Sequence, residues 1–356
     1  MVAFAALVND GSHDFNVFTA WSDDGDSWTF GEYLSGIQYP GPEQQPWIRS
    51  NIAGTAWIVA SFETYTSPDA KVWSEVAGGA PYYGDLWTRG LQWCEYSAGL
   101  GGWLASPPFE DSTYDVGGFV SGGWIGNFIG TGVIGNGWAY TYDGTVAVVV
   151  AQSGGNNVQY GAGSPIDPAT EFFLADYPLG WGDGTGVVQT PAGWLAVSSV
   201  VGPISSTDAV TWAAAGDGPT ALGVRWLGSR YVTWESDSIV WSADGSTWNT
   251  ATIPDTVNGI CDVAYSRGVW VAAFDGSDGC FIRSTNLDDW ALVSGPPGFA
   301  TLAYSVDGGT GGIPPTRQYP RADLLALGAA RQAQAGSNAP SSVQGSARQG
   351  YANTFS

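Results

Sequence analysis

The sequence predicts an all-β fold: a seven-bladed β-propeller of four-stranded antiparallel blades, closed by a C-terminal strand and followed by an extended arm. Three observations predict it. A Ser-x-Asp-Gly-x-Ser/Thr-Trp turn recurs, a strand with a small residue, an aromatic and aliphatics precedes the turn, and the two chain ends carry complementary parts of one repeat. Four-stranded units repeating every 40–45 residues or so are typical of propeller blades.

The turn motif is complete at residues 22–28 and 242–248. Copies at 67–73 and 206–212 keep the Ser, the Asp and the Trp, and a worn copy at 284–290 has Asn in place of Asp. Gly tolerates positive φ and Asp can bond its own turn amides, so we expect structural hairpin turns with the Trp packed over each. The residues predicted to form these turns are Asp24, Gly25, Trp28, Asp69, Trp73, Asp208, Trp212, Asp244, Gly245, Trp248 and Trp290.

Other strand signals complete the repeat. Residues 193–196 and 269–272 have the pattern of a second strand, and residues 224–227 and 263–266 alternate in the way that favours a first strand. Two worn turns are expected near 111–119 and 164–172. First strands are expected near Ile48, Leu91, Trp138, Val187, Val224, Val263 and Leu302. These first strands indicate seven blades. Six or eight blades remain open, because the repeat pattern in residues 117–137 is too degenerate to place.

The chain ends predict how the ring closes. Residues 2–28 align with 270–290, which begin at a second strand, whereas 302–305 match the first strand at 263–266. We therefore expect the C-terminal strand to complete the N-terminal blade, which removes two open sheet edges. This places the propeller at 1–306.

The composition changes from Asp307 onwards. Residues 307–320 are rich in Gly and Pro and predict a linker. Residues 321–356 are expected to form an arm that starts with a short helix and continues as a Ser-, Gln-, Gly- and Ala-rich segment typical of disorder in isolation. Our hypothesis is that 314–356 docks the propeller onto a larger assembly. The residues expected to carry this contact are Arg321, Leu324, Leu325 and Leu327.

Charge and chemistry exclude several classes of function. The net charge of −22, with Lys71 as the single lysine, argues against nucleic acid and anionic membranes as partners. No apolar run is long enough to span a bilayer and no signal peptide is evident, so we expect neither membrane insertion nor export. His13 is the only histidine, and Cys94, Cys261 and Cys280 are scattered. We therefore predict no catalytic residue, no metal and no cofactor, with three buried free thiols.

The turn resembles the Asp-box (BNR) of sialidase-like propellers, although it is one residue shorter. The shorter form, after a Gly-aromatic-Val-Ala strand, is similar to propeller repeats of bacteriophage virion proteins and bacterial surface proteins. The resemblance covers about residues 1–306. It implies a structural turn and a non-enzymatic component of a tailed-phage virion, in a tail, tail tip or fibre, that contacts the host surface. A host glycan as ligand, several copies per particle and other virion proteins as partners of the arm would follow.

Three alternatives remain open: a capsid decoration (head fibre or cement) protein, a sialidase-like glycan hydrolase and a bacterial surface adhesin. Sialidases clamp a substrate carboxylate with three arginines, and arginines recur here at or after first strands, so that three could face a central tunnel; structural or surface roles are favoured. Aromatics in loops could stack on a sugar, although packing between blades is the stronger expectation. These arginines and aromatics are Arg49, Arg89, Arg225, Arg230, Arg267, Arg283, Tyr82, Tyr83, Trp87, Trp124 and Phe128.

Overall fold

A computed structural model of the chain contains seven four-stranded antiparallel sheets. It describes residues 2–9, 16–35, 37, 46–51, 53–61, 63–76, 93–106, 115–120, 123–128, 137–151, 158–165, 170, 172–274, 280–293 and 303–308. The strands are β1 (Phe4–Asn9), β2 (Val17–Ser22), β3 (Trp28–Tyr33), β4 (Trp47–Ser50), β5 (Trp57–Ala60), β6 (Thr64–Ser67), β7 (Ser74–Glu75), β8 (Trp93–Ser97), β9 (Gly102–Ser106), β10 (Asp115–Val120), β11 (Gly123–Phe128), β12 (Gly137–Tyr142), β13 (Ala147–Ala151), β14 (Val158–Gly161), β15 (Phe172–Leu174), β16 (Gly184–Thr190), β17 (Gly193–Ser198), β18 (Ile204–Ser206), β19 (Ala213–Ala214), β20 (Gly223–Leu227), β21 (Arg230–Trp234), β22 (Ile239–Ser242), β23 (Trp248–Thr250), β24 (Ile260–Ser266), β25 (Val269–Phe274), β26 (Phe281–Ser284), β27 (Ala291–Val293) and β28 (Ala303–Gly308).

The sheets form the blades of a seven-bladed propeller. Blade 1 has the strand order β28-β1-β2-β3, and blades 2 to 7 each use four consecutive strands from β4 to β27. The first strands of neighbouring blades contact one another in sequence, from β28 to β4, β8, β12, β16, β20, β24 and back to β28. These seven strands therefore surround a central tunnel, and the predicted fold class is confirmed.

The ring closes through β28, as the chain ends predict. Strand β28 pairs antiparallel with β1, with Phe4 opposite Gly308 and Leu7 opposite Ser305, and β1 pairs on its other side with β2. The N-terminal blade thus receives its innermost strand from the other end of the described chain. Strand β28 therefore covers the edge of β1 that would otherwise remain unpaired in blade 1.

Strand β28 extends two residues past the predicted end of the propeller at 306. Asp307 and Gly308, assigned by composition to the linker, belong to β28. The Asp307 carboxylate accepts hydrogen bonds from the backbone and hydroxyl of Ser50 and is bonded by Arg225, which holds this end of the strand inside the ring. The rest of the predicted linker and the whole predicted arm, with its helix and Arg321, Leu324, Leu325 and Leu327, lie outside the described residues.

Blade 3 differs from the prediction in one respect. The worn turn expected at 111–119 is wrong, because 115–120 form β10, the third strand of the blade, and 123–128 form β11, the outermost one. Glycines at 117 and 118 lie opposite Ala105 and Leu104 and hide the alternation by which a strand is recognised. Trp124 and Phe128 consequently belong to a strand and not to a loop. The other worn copy, at 164–172, does fall between β14 and β15.

The core lies between the blades. Second strands such as β5, β13 and β17 are buried at every position. A strand covered by a neighbouring blade on each face reads as a continuous apolar run, which explains sequences such as Ala-Val-Val-Val-Ala in β13. One cluster joins Leu7 of blade 1 to Trp57 of blade 2, and Trp57 is fully buried. Each blade is therefore stabilised by its neighbours.

Antiparallel order within each blade fixes which loops share a face of the ring. The turn between first and second strands and the turn between third and fourth strands lie on the same face, here called the turn face. The Asp-containing turns lie near its rim, because they join the two outermost strands. The C-terminal end of β28, a first strand, lies on this face at the tunnel.

Candidate functional site

The Asp-containing turns are built as small hydrogen-bonded cages. In the first copy, Oδ1 of Asp24 accepts hydrogen bonds from the amides of Asp26 and Ser27, at 2.9 and 2.8 Å, and from the Ser22 hydroxyl at 3.0 Å. The Ser22 hydroxyl oxygen in turn accepts the amide of Gly25 at 2.8 Å. The copies centred on Asp69, Asp208 and Asp244 repeat the carboxylate contacts, and Asn286 replaces the carboxylate in the fifth.

The residue after the Asp adopts a left-handed backbone in every copy. Gly25 and Gly245 have φ of 76°, which glycine adopts without strain. Ala70, Ala209 and Leu287 hold the same conformation at φ of 61°, 64° and 70°. Their side chains are almost fully buried, so apolar packing offsets the cost of the backbone. This exchange explains why the Gly of the motif is lost in three copies while the turn survives.

The motif tryptophans connect adjacent blades. Trp28 of blade 1 stacks on Phe281 of blade 7 with ring centroids 4.1 Å apart and planes 6° from parallel. The indole nitrogen of Trp248 in blade 6 donates to the carbonyl of Ala215, which follows the last strand of blade 5, at 3.3 Å. These contacts place the turns among the structural elements of the ring.

The turn carboxylates also make the fold sensitive to acid. Amide hydrogen bonds, from Ser27 first, lower the pKa of Asp24, and the amide of Lys71 lowers the pKa of Asp69 in the same way. A carboxyl whose folded pKa lies below its unfolded value of about 3.9 adds stability above that pH. This contribution is lost as the pH falls through the lower, folded value.

Replacing Asp24 with alanine should destabilise the ring by about 1 kcal/mol, the typical cost of losing a side-chain oxygen that caps two amides. The control is Asp23→Ala, which removes the same charge from the neighbouring residue, and should change stability by less than about 0.5 kcal/mol. Urea unfolding at pH 7 measures both. The difference should shrink as the pH falls below about 4 and through the lowered pKa of Asp24, at which the folded parent protein takes up the proton. Equal effects of the two substitutions at pH 7 would contradict this role.

A second constellation lies in the central tunnel, and Arg49 is the more buried of its two arginines. The guanidinium of Arg49 is 2% exposed, and its Nη1 donates to Asp262 Oδ2 at 2.7 Å and to the carbonyl of Ile48 at 2.8 Å. Its Nε donates to the carbonyl of Cys94 at 2.9 Å and lies 3.2 Å from Glu95 Oε1. Arg49 therefore links blades 2, 3 and 7 across the tunnel.

Arg225 of blade 6 makes the complementary set of contacts. Its Nη2 donates to Asp307 Oδ1 at 2.7 Å, its Nε lies 3.0 Å from Glu95 Oε1, and its Nη1 donates to the carbonyl of Val263 at 3.0 Å. Nη1 also lies 3.8 Å from Asp262. Two arginines thus share three carboxylates, and together these five groups connect blades 1, 2, 3, 6 and 7. We call them the tunnel network.

The carboxylates are also held by backbone groups. Asp262 is fully buried and accepts the amides of Val263 and Val306 at 2.9 and 3.2 Å, while Asp307 accepts the amide of Ser50 at 2.6 Å. Glu95 differs, since its side chain is 26% exposed to the tunnel. Burial raises the pKa of Glu95, and the two arginines oppose that effect.

A cavity of about 120 Å³ opens beside the tunnel network. Glu95, Arg225 and Asp307 line one part of it. Blades 4 and 5 supply Tyr140, Tyr142 and Gln189 to the lining and none of the five charges. The lining includes the last residues of several first strands, so the cavity lies at the turn-face end of the tunnel. We call it the tunnel mouth.

The tunnel network was missed by sequence reasoning except for its arginines. Arg49 and Arg225 do face the tunnel, but as ion-pair partners. Arg230 lies outside, with its guanidinium 5.8 Å from the ring of Trp241, and Arg283 donates to the carbonyl of Asp24 on the turn face. Arg267 sits in the turn after β24 with φ of 51°. Arg89, Tyr82, Tyr83 and Trp87 lie outside the described residues.

The remaining predicted chemistry yields no further site. Cys94 and Cys280 are buried and Cys261 is half-buried, so the expectation of three buried thiols is correct for two; burial raises the pKa of Cys280 to about 12. His13 lies outside the described residues. Within the described ranges, His, Cys, Asp and Glu side chains form no group of three that could hold a metal ion. No helix in those ranges has the length and apolar character needed to cross a membrane.

Fold and site together define a seven-bladed β-propeller with a charge-paired tunnel. No family model matches the sequence, and no curated protein matches it either. A solved structure described as "YCF48 bound to D1 peptide" is similar over 72% of this chain and 84% of its own chain, with a TM-score of 0.49 and 12% identity. The propeller assignment rests on the seven sheets and their closure.

Proposed function

We propose that this chain is a non-enzymatic binding and structural component of a tailed-bacteriophage virion, located in the tail, tail tip or fibre. The propeller would contact the host surface, and the segment after Gly308 would anchor it among other virion proteins. The observation that carries this proposal is the closure of the ring by β28. Because β28 completes the first blade by Gly308, we assign residues 309–356 to contacts with a neighbour and not to the ring.

The charge distribution supports an anchoring role for that segment. Residues 309–356 contain four arginines and one acidic residue, Asp323, whereas the whole chain has a net charge of −22. With four positive charges and one negative charge, this segment is attracted to an acidic surface such as the ring of a neighbouring copy. Several copies of this chain in one particle would supply such surfaces.

The tunnel network argues against the sialidase-like alternative. A carboxylate clamp needs arginines whose donors are free for substrate, but Arg49 and Arg225 donate to Asp262, Asp307 and Glu95 of the protein itself. A substrate carboxylate would have to displace them and would meet three like charges. A panel of chromogenic glycosides tests this alternative directly. Turnover that a single carboxylate substitution abolishes would reverse the assignment.

A chain that ends at Gly308 should fold as a propeller but fail to enter particles. An antibody against the propeller would follow both forms through a density gradient of a lysate in which the chain is expressed during infection. We expect the full chain to sediment with particles and the shortened chain to remain at the top. Normal incorporation of the shortened chain would contradict the anchoring role.

Location within the particle separates the tail assignment from capsid decoration. Immunogold electron microscopy with the same antibody should label tails or tail tips. Label distributed over heads would favour a head fibre or cement protein, and label on uninfected bacteria would favour an adhesin.

A further inference from the structure

We propose that the tunnel mouth is a binding site for one organic cation, a guanidinium or primary ammonium group on an alkyl stem, such as a basic side chain. This inference does not depend on the virion assignment, because it rests on the charges and walls of the cavity alone. It also gives the tunnel network a role beyond holding the blades together.

The first argument is the charge of the site. Two arginines face three carboxylates, so the network carries one surplus negative charge when all five groups are ionised. The donors of Arg225 are directed at Glu95, Asp307 and the carbonyl of Val263. A second anion would find them engaged, whereas a cation would balance the surplus charge.

The second argument is the accessibility of Glu95. Asp262 is fully buried and Asp307 is nearly so, but the Glu95 side chain is 26% exposed, and Glu95 lines the cavity. Among the three carboxylates of the network, Glu95 is therefore the most accessible to a group that enters the cavity. In a partly enclosed cavity, a charge pair is stronger than on an open surface.

The third argument is the composition of the other walls. Tyr96, Tyr140, Tyr142 and Trp226 line the cavity together with Val187. Aromatic and aliphatic walls suit the alkyl stem of a basic group, and aromatic faces attract its cationic head. The cavity, of about 120 Å³, has room for one such side chain.

Proton linkage gives the site a second signature. Burial raises the pKa of Glu95, so the carboxyl holds its proton to a higher pH than an ordinary glutamate. A cation binds the ionised form, and its affinity should therefore rise as the pH increases through the pKa of Glu95. The charged groups that face Glu95 are Arg49, Arg225, Asp262 and Asp307.

The chain itself carries one source of such a cation. Strand β28 ends at Gly308, which lines the tunnel mouth, and the sequence then continues through a Gly-rich stretch to Arg317 and Arg321. A Gly-rich linker of about ten residues, as the composition predicts, would give a linked group an effective concentration in the millimolar range. The other source is a basic side chain of a separate protein. The cation chemistry is the same in both cases.

Calorimetric titration of the full chain with butylguanidinium tests the site, and butanol serves as the neutral control. We expect a Kd of about 0.1–1 mM for butylguanidinium, from typical affinities per atom of small ligands, and no binding of butanol. Glu95→Gln should weaken binding about tenfold or more. The matched control is Glu75→Gln, which removes the same charge from exposed β7 and should leave binding unchanged.

A second variant keeps the test valid if Glu95→Gln folds poorly. Asn51 lines the tunnel mouth, and its Oδ1 accepts the amides of Thr55 and Ala56. Asn51→Asp keeps these acceptors, adds a negative charge and should tighten binding about threefold. Affinity should also increase with pH in the parent protein.

The double variant Arg317→Gln/Arg321→Gln identifies the source of the cation. If the probe binds at least tenfold more tightly to this double variant than to the parent chain, the arginines of the tail occupy the site. If both proteins bind it equally and depend on Glu95, a separate molecule supplies the cation. No binding to either protein, or binding that neither Glu95→Gln nor Asn51→Asp alters, would overturn the proposal.

Discussion

Arg49→Met should destabilise the propeller by about 3–5 kcal/mol, the usual cost of leaving a buried charge without its partner. Methionine fills a similar length of tunnel but cannot donate a hydrogen bond. Asp262, which is fully buried, would lose its 2.7 Å contact with the guanidinium. The carbonyls of Ile48 and Cys94 would lose their donors as well. Chemical denaturation at pH 7 measures the loss.

Two further variants identify the cause. Arg230→Met removes an arginine whose guanidinium lies outside the tunnel, 5.8 Å from the Trp241 ring, and should cost less than about 1 kcal/mol. Asp262→Asn in the Arg49→Met background should recover part of the lost stability, because it removes the orphaned charge and keeps a side-chain acceptor. If the two arginine substitutions cost the same, the tunnel network would have no special structural role.

The repeat could be predicted from sequence because its signals are local. Asp24, Gly25 and Trp28 lie within one turn, and the chemistry of that turn does not depend on the rest of the ring. The closing strand could be predicted for a related reason, since 302–305 repeat a pattern that occurs at 263–266. The strands of blade 3 are harder to predict. The glycines in β10 carry no side chains, so the alternation of apolar and polar residues that marks a strand is hidden.

The tunnel network could not be predicted, because its members are far apart in the chain. Arg49 and Asp262 are 213 residues apart in sequence and 2.7 Å apart in the fold. The chain has 33 acidic residues, and no local pattern separates Glu95 from the other 32. The available signal was positional: a charge in a first strand that is otherwise apolar, as at Arg49 and Asp262. Such a residue faces the tunnel and requires a partner there.

Composition places Asp307 in the linker because, as in the rest of the tunnel network, its partners lie far away in the chain. A Gly-rich stretch follows it directly, so the sequence groups it with the linker, whereas its contacts are with Ser50 and Arg225 in other blades. A charged residue that directly follows a predicted first strand is better assigned to that strand than to the linker. This holds when arginines predicted to face the tunnel still need acidic partners.

A chain that ends at Val306 should be less stable than one that ends at Gly308 by about 2–4 kcal/mol, although the two differ by only Asp307 and Gly308. The shorter chain loses the charged contact to Arg225 at 2.7 Å and the two hydrogen bonds from Ser50. Each charged hydrogen bond contributes about 1.5–3 kcal/mol, and part of this is regained when water enters the tunnel mouth. It also loses the pairing of Phe4 with Gly308 and of Ala5 with Asp307.

Asp307→Asn in the chain ending at Gly308 isolates the charge from the pairing, because the amide keeps one acceptor and leaves β28 intact. This substitution should lower the free energy of unfolding by less than truncation at Val306 does. Urea unfolding would compare all three proteins. Equal stability of the chains ending at 306 and 308 would restore the boundary that composition suggests. If Asp307→Asn reproduces much of the loss, a charge at the tunnel holds the ring closed at the point where the tail begins. A large loss confined to the shorter chain would instead assign the effect to the strand pairing of Asp307 and Gly308.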